Sequence, residues 1–453
     1  MKVFVAGATG FIGREVLFLL RERGHSIIAL TRDAQRASII LPVVCEIVEG
    51  HPQQNGSWMQ KLEGVDAVLH LSGENVVGRW TAHRKREIVS SRIQSTRNLI
   101  QGFKKLRKKP SVFISASATG YYGDRADAEI NENSTPGTGF LADVCQSWED
   151  EIFAAKSNGI RTAAMRIGVV LGHDGGALKM MLPPFRLGLG GRLGSGRQWM
   201  SWIHIRDLAG ILVHALENDA VAGPINAVSP NPVTNRDFTR ELADVLSRPT
   251  ILPLPTWIIR LIFGDMSQIL LASQKTSAEK IRKTGYKFMY PNLNLALKVI
   301  CDRVGHEFLM EQWVPESITR VFDFFSDATN LKTITPPFLD FKILSPSNMK
   351  VCNGTIFTYS LKLHGIPFNW KSRIIDFQPG IRFTDEQIKG PYSIWHHTHQ
   401  FFEKDGGTVI RDRIIYKLPG WVPGDIVAHS FIRNDLESIF LYRRKRIEEL
   451  FGR

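Results

Sequence analysis

The sequence predicts two domains: an α/β domain on a doubly wound parallel sheet, then an α+β domain in which an antiparallel sheet meets a long terminal helix. Three observations carry this expectation. Residues 2–31 run through an apolar segment, a glycine turn, a helical repeat and a second apolar segment. Near residue 305 the α/β alternation stops and a series of strand-like segments begins. The chain then ends in one long amphipathic stretch, "DIVAHSFIRNDLESIFLYRRKRIEELF".

At 453 residues the chain is too long for one ordinary core, and two domains are expected, 1–302 and 306–453, with a boundary around 302–306. A hydrophobic content of 43% with 22% charged residues is globular, and neither proline nor glycine is massed in low-complexity tracts. The four cysteines, Cys45, Cys145, Cys301 and Cys352, form no close pair, which argues against a disulfide framework and a zinc site and fits a reducing cytoplasm. The start, "MKVFVAGATG", reaches Gly7 and Gly10 too soon for a signal peptide, so a strand is expected. "WIIRLIF" is interrupted by Arg260, so no integral membrane association is expected. A net charge of +13 raises nucleic acid as a partner. Its two basic clusters, 104–109 and 442–446, have no interleaved stacking aromatics and read as solvated helix ends, so no nucleic-acid partner is expected.

"KVFVA" is the first strand, "GATGFIG" the turn, and "REVLFLLRERG" a helix with Val16, Leu19 and Leu20 on its apolar face. "SIIALTR" is the second strand, which completes a Rossmann-type dinucleotide unit. Gly7 permits the tight turn, Gly10 opens the backbone to a pyrophosphate, and Gly13 lets the helix lie close on the sheet. An acidic residue at the end of the second strand would hold a ribose 2′-hydroxyl. Here Thr31 and Arg32 stand there, and an arginine pairs with a 2′-phosphate, which favours NADP(H) over NAD(H) unless Arg32 is simply a surface residue.

The GxxGxxG spacing resembles that of the extended and atypical short-chain dehydrogenase/reductases, and further segments match along the chain. They include "DAVLHLSGENV" (66–76), "GRWTAHRKREIVSSRIQST" (78–96), "FISASATGYYGD" (113–124), "SWIHIRDLAGIL" (201–212) and "GPINAVSPNPVTNRDF" (223–238). These resemble an NAD(P)-dependent epimerase-like subfamily that ends in a small helical segment, here 269–297. The resemblance implies cofactor contacts from Thr9, Phe11 and Ile12 in the turn, from Leu71, Ser72 and Gly73, and from Arg92. It makes Ser117 the catalytic hydroxyl and places His204 and Asp207 near the site.

In that superfamily a Tyr exchanges the substrate proton while a Lys four residues later lowers its pKa and holds the cofactor ribose. The corresponding segment here, "GFLADVCQSWEDEIFAAKSNG", has neither between Phe140 and Cys145, and its first lysine is Lys156. Tyr121 and Tyr122 are substitute proton donors or pocket walls; Cys145 is a weaker substitute or a buried inert thiol. Arg166, Arg197 and Trp199 are candidates to line a substrate cleft, and the glycines at 190, 191, 194 and 196 suit a flexible lid. The competing expectation for both arginines is an ordinary surface role.

After residue 305, "EFLMEQWV" is a strand, and Pro315 opens a helix with apolar residues at 318, 321, 322 and 325. Five alternating segments follow, "TIFTYSLKL", "FNWKSRIIDF", "IRFTDEQI", "YSIWHHTHQFF" and "TVIRDRIIYKL". In the final helix Val427, Phe431, Leu436, Ile439, Phe440, Ile447 and Leu450 mark the buried side. This order resembles the START-like, polyketide-cyclase-type (SRPBCC) helix-grip domains, which implies a cavity for a hydrophobic small molecule. His397 and His399 share a strand face and Asp412 on the next strand can approach. No clustered cysteine or acidic triad completes a set in the sequence, so no metal is expected.

Two function classes remain. One is an NADP(H)-dependent oxidoreductase or epimerase whose second domain binds a hydrophobic substrate. The other is a non-catalytic NADP(H)-binding sensor, which the absent Tyr–Lys pair favours. Extended reductases often dimerise, so a homodimer is a possible partner state.

Overall fold

Short runs of apolar residues between turn residues build the first sheet, because strands covered on both faces need apolar side chains on both. In this computed structural model, residues 1–41, 45–173, 175–250, 253–301, 306–344, 351–418 and 423–452 are described, with the backbone alone for 423–430. The chain divides into two compact units, 1–37 with 44–302, and 38–43 with 303–453. The boundary read at 302–306 falls on residues 302–305, outside the described ones.

The first unit begins with β1 (Lys2–Ala6), α1 (Phe11–Glu22), β2 (Ser26–Thr31), β3 (Cys45–Glu49) and β4 (Ala67–His70). It continues with α2 (Ala82–Lys105), β5 (Val112–Ala118), α3 (Phe140–Phe153), β6 (Arg161–Ile167), α4 (Ile205–Glu217) and β7 (Gly223–Ala227). The seven strands form one parallel sheet in the order β7-β6-β5-β4-β1-β2-β3. The order runs outward in both directions from β1 and β4. Right-handed crossovers therefore send the helices of the two halves to opposite faces, the doubly wound arrangement. Consistent with this, α1 packs on α4 and α2 packs on α3. The crevice at the β1/β4 reversal lies beyond Ala6 and His70, which are register partners. Helix α1 buries Gly13, Val16, Leu17 and Leu20. Leu17 thus replaces Leu19 on the expected face, because the helix starts at Phe11 and its 3.6-residue repeat runs from Gly13.

The second unit contains β8 (His306–Val314), α5 (Ile318–Phe325), β9 (Lys342–Ile343), β10 (Ile356–Leu363) and β11 (Ile366–Gln378). Then come β12 (Arg382–Lys389), β13 (Ile394–Lys404), β14 (Gly407–Lys417) and α6 (Pro423–Phe451). Its sheet is antiparallel throughout, in the order β8-β14-β13-β12-β11-β10-β9. Helix α5 is capped by Ser317, whose hydroxyl accepts from the Arg320 N–H, so Pro315 precedes the helix instead of opening it. Helix α6 buries Ile432, Leu436, Phe440 and Ile447, while Phe431 and Leu450 are exposed. Val427 lies outside the described side chains. No helix among the described residues is long and apolar enough to cross a membrane.

Candidate functional site

The glycine turn after β1 is shaped by contacts that exclude side chains. Gly7 has φ +89, and a Cβ there would lie 2.7 Å from the Leu71 carbonyl carbon and 2.8 Å from the Ser72 nitrogen. A Cβ on Gly13 would lie 2.3 Å from the Gly7 carbonyl oxygen, so only glycine allows α1 to start this close to β1. Gly10 is the exposed N-cap of α1, with no acidic residue in the first turn. The helix N-terminus, carrying Thr9, Phe11 and Ile12, therefore presents backbone N–H groups suited to an anion. The Phe11 ring packs under Gly172 and Gly175, where a Cβ would approach it to 2.6 and 2.5 Å. Its side chain is thus a packing element, and its contribution to the turn is backbone.

Thr31, at the end of β2, is buried, and its hydroxyl accepts from the Asp33 N–H. Arg32 beside it is exposed, and its charge helps burial lower the pKa of His51. On the other side of the crevice, Leu71 donates its N–H to the Ala6 carbonyl oxygen at 2.7 Å. Gly73 lies against Arg92 of α2, whose guanidinium would be 3.3 Å from an added Cβ. Arg92 also stacks on Trp148 at 5.3 Å, and burial lowers its pKa. The resulting layout is a glycine cradle at a helix N-terminus, a solvent-facing arginine at the end of β2, and a floor of Leu71, Ser72 and Gly73.

Next to the crevice the structure brings together residues that the sequence did not connect. Glu149 of α3, 4% exposed, receives a fork of two hydrogen bonds from Arg166 of β6, Nε to Oε1 at 2.9 Å and Nη2 to Oε2 at 2.8 Å. The Ser117 hydroxyl donates to the same Oε1 at 2.7 Å. Arg166 Nη1 donates to the Tyr122 hydroxyl oxygen at 2.8 Å, and Tyr122 donates onward to Asn226 Oδ1 at 2.7 Å. Burial opposes the charge on Arg166, but the hydrogen bonds and charge of Glu149 outweigh it and raise its pKa. Burial pushes the Tyr122 phenol up to about 12. Tyr121 is half-buried, with the Arg166 guanidinium 3.6 Å from its ring centroid and Tyr122 edge-on to it.

This geometry changes several expected roles. Tyr122 is fully buried inside the network, so it faces protein and not a substrate. Arg166 is 3% exposed and committed to Glu149, so it is not available to an incoming anion. His204 caps α4, its Nδ1 accepting from the Arg206 N–H, and stacks on Tyr290 at 4.0 Å. Asp207 accepts from the backbone N–H groups of Met289 and Tyr290, which ties it to chain segments and not to a cleft. Arg197 is exposed, while Trp199 donates its indole N–H to Asp127 and sits under Lys275. In the glycine-rich loop Leu193 donates its N–H to Asn235 Oδ1, Gly194 to the Leu254 carbonyl and Gly196 to the Leu193 carbonyl. Cys145 is buried, and burial followed by the charge of Glu149 pushes its thiol up to about 12, the state of an inert core cysteine.

The second unit has a half-open cavity of about 220 Å³ lined by apolar side chains, among them Phe325, Phe357, Trp370, Phe383 and Phe440. One part of its wall is polar: Asp385, His397, His399 and Arg443. His397 stands opposite Asp385 across β12/β13, and His399 opposite Asp412 across β13/β14. His397 Nδ1 is 3.4 Å from Asp385 and its Nε2 is 2.9 Å from Asp412 Oδ1. His399 Nδ1 is 2.6 Å from that same oxygen, and Arg443 Nη1 lies 3.5 Å from it. Burial works against ionised Asp412, but His399, His397 and Arg443 together hold its pKa well below the usual carboxylate range. Burial raises Asp385 to about 6, and burial, with the neighbouring His399, lowers His397 to about 3. The acidic partner that the sequence reading found missing is therefore Asp385, seen only once β12 lies beside β13.

A family model described as the NAD dependent epimerase/dehydratase family matches residues 3–227, and a Domain of unknown function (DUF1731) matches residues 254–300. The chain is 39% identical over 306 residues to the chloroplastic Epimerase family protein SDR39U1 homolog of Arabidopsis thaliana, covering 66% of this chain and 86% of that protein. It is 36% identical over 306 residues to Epimerase family protein YfhF of Bacillus subtilis, covering 67% of this chain and 99% of the relative. The crystal structure of human epimerase family protein SDR39U1 with NADPH is similar at a TM-score of 0.59 and 34% identity, over 67% of this chain and all of that one. UDP-glucuronic acid 4-epimerase from Bacillus cereus, at 19% identity and a TM-score of 0.55, shares the fold over 67% of this chain and 98% of its own. The glycine cradle, the sheet order and these likenesses agree: the chain belongs to the NAD dependent epimerase/dehydratase family.

Proposed function

We propose that the first unit binds NADP(H) in the β1/β4 crevice and acts as an oxidoreductase or epimerase on a hydrophobic carbonyl or alcohol. The observation that carries this reading is the cradle at Gly7, Gly10 and Gly13, which leaves room for a pyrophosphate against backbone N–H groups. Exposed Arg32 is the group for a 2′-phosphate, and the human relative was crystallised with NADPH. Bound there, the nicotinamide supplies hydride chemistry. This reading assigns the substrate oxygen to half-buried Tyr121 and to Ser117, whose hydroxyl, 3% exposed and donating to Glu149, would turn to the substrate on binding. Glu149 and Arg166 are positioning residues, one holding the Ser117 hydroxyl and the other clamping the Tyr121 ring.

The second unit is proposed to be a START-like helix-grip domain that holds a hydrophobic ligand, supported by its antiparallel sheet and the cavity lined by both sheet and α6. The test is turnover of apolar ketones and aldehydes with NADPH by wild type and Ser117→Ala. The expected result is loss of kcat by roughly a hundredfold or more, the usual scale for removing a group that stabilises charge in the transition state. Unchanged turnover in the variant removes the role given to Ser117.

One observation favours a second reading, a cofactor-binding sensor without chemistry. The Ser117 hydroxyl donates to Glu149 and Tyr122 is sealed, so no Tyr–Lys pair is poised for proton exchange. Saturable NADPH binding that alters protease resistance, with no turnover of any carbonyl, is its signature.

A further inference from the structure

The polar patch in the second unit's cavity has an organisation that ligand burial alone does not require. Asp385, His397 and His399 face the cavity, whereas Asp412 lies behind the histidines and is fully buried. A single oxygen of Asp412 stands 2.9 Å from His397 Nε2 and 2.6 Å from His399 Nδ1. The hydrogen bond to His397 fixes the tautomer and orientation of that ring, while His399 Nδ1 lies against the same oxygen without hydrogen-bond geometry. With Nε2 donating to Asp412, His397 keeps its lone pair on Nδ1, the nitrogen 3.4 Å from Asp385. We propose that Asp385, His397 and His399 form a binding site for one divalent transition-metal ion, open toward the cavity.

Four features support this. One ligand atom from each of the three residues lies within 4.8 Å of the others, so side-chain shifts of under about an ångström bring all three to the roughly 2.0–2.2 Å expected around a common centre. A carboxylate that accepts the second N–H of a ligating histidine is the recurring outer support of such sites, and Asp412 supplies it to His397. Two histidines with one carboxylate suit zinc, iron(II) or another first-row ion, and three protein ligands leave a coordination position for a molecule in the cavity. Charge points the same way: two carboxylates against the one guanidinium of Arg443 leave the cluster net negative when both are ionised, which favours a cation over an anion. A polar-headed organic ligand would also meet these groups, but it does not need a histidine held from behind by a fully buried carboxylate.

The test uses the full chain after dialysis against a chelator, titrated with Co²⁺ and followed by visible d–d absorption, then challenged with Zn²⁺. The expected result is one equivalent of Co²⁺, displaced by Zn²⁺, with a rise in melting temperature. Asp385→Asn should abolish stoichiometric binding, and Asp412→Asn should weaken it by roughly 10- to 100-fold. Circular dichroism shows whether each variant is folded. Asp385 is the less buried of the ligands, so its conservative variant decides if a histidine variant does not fold. Folded wild type that takes up no Co²⁺, or Co²⁺ binding that Asp385→Asn leaves unchanged, overturns the proposal. Recovery of an organic molecule whose presence blocks no metal binding because none occurs assigns the patch to a ligand headgroup and overturns it as well.

Discussion

Glu149, not singled out from the sequence, joins Ser117 and Arg166 in the first unit's polar interior. It was legible in principle: on a 3.6-residue repeat it shares a helix face with Cys145, Trp148 and Ile152, all of which are buried. A carboxylate on a buried face needs a partner, and the partner is Arg166, more than a helix length away in sequence. Glu149→Ala leaves that guanidinium unpaired and should cost about 3–5 kcal/mol in urea unfolding. A change below about 1 kcal/mol would contradict the network's role. His70 provides a pH signature. It is buried against Ser95 with its pKa lowered to about 3, by burial first and then by Arg92. Below its ordinary value of 6.5 an unfolded chain takes up a proton that the folded His70 refuses. The stabilising effect is whole above pH 6.5 and is lost as the pH falls toward 3. The unfolding midpoint of wild type should therefore drop more steeply from pH 7 to pH 5 than that of His70→Gln, and equal slopes would contradict this.

At the scale of elements, the glycine cradle was readable because its physics is local: a strand, a turn with φ beyond the reach of most residues, and a helix pressed onto a carbonyl. Gly13→Ala puts a methyl 2.3 Å from the Gly7 oxygen, which must push α1 off β1. The variant should lose about 1–3 kcal/mol of stability. NADPH affinity should fall with it, and a variant with wild-type melting and binding would show that the helix does not need this approach. The strands of the second unit were equally legible from alternation. Pairing was not, since nothing in "IRFTDEQI" announces that Asp385 will face His397. On α6 Phe431 and Leu450 are exposed although the sequence places them on the buried side, since single apolar residues commonly remain in solvent.

At the scale of the whole molecule, the sequence led to a dinucleotide-binding α/β unit and a separate antiparallel unit, and the observed sheets have those two characters. Arg166, His204 and the glycine-rich loop take tertiary partners that only the assembled fold reveals. The central claim is that the crevice between β1 and β4 binds NADP(H), with Arg32 reading the 2′-phosphate. The most direct measurement is titration of the full chain with NADPH and with NADH, followed by nicotinamide fluorescence, in wild type and Arg32→Ala. A charge-assisted contact of about 1.5–3 kcal/mol predicts that NADPH binds roughly 10- to 100-fold more tightly than NADH, and that Arg32→Ala removes most of that preference while leaving NADH unchanged. Equal affinities for the two nucleotides in wild type, or saturable binding of neither, would contradict it.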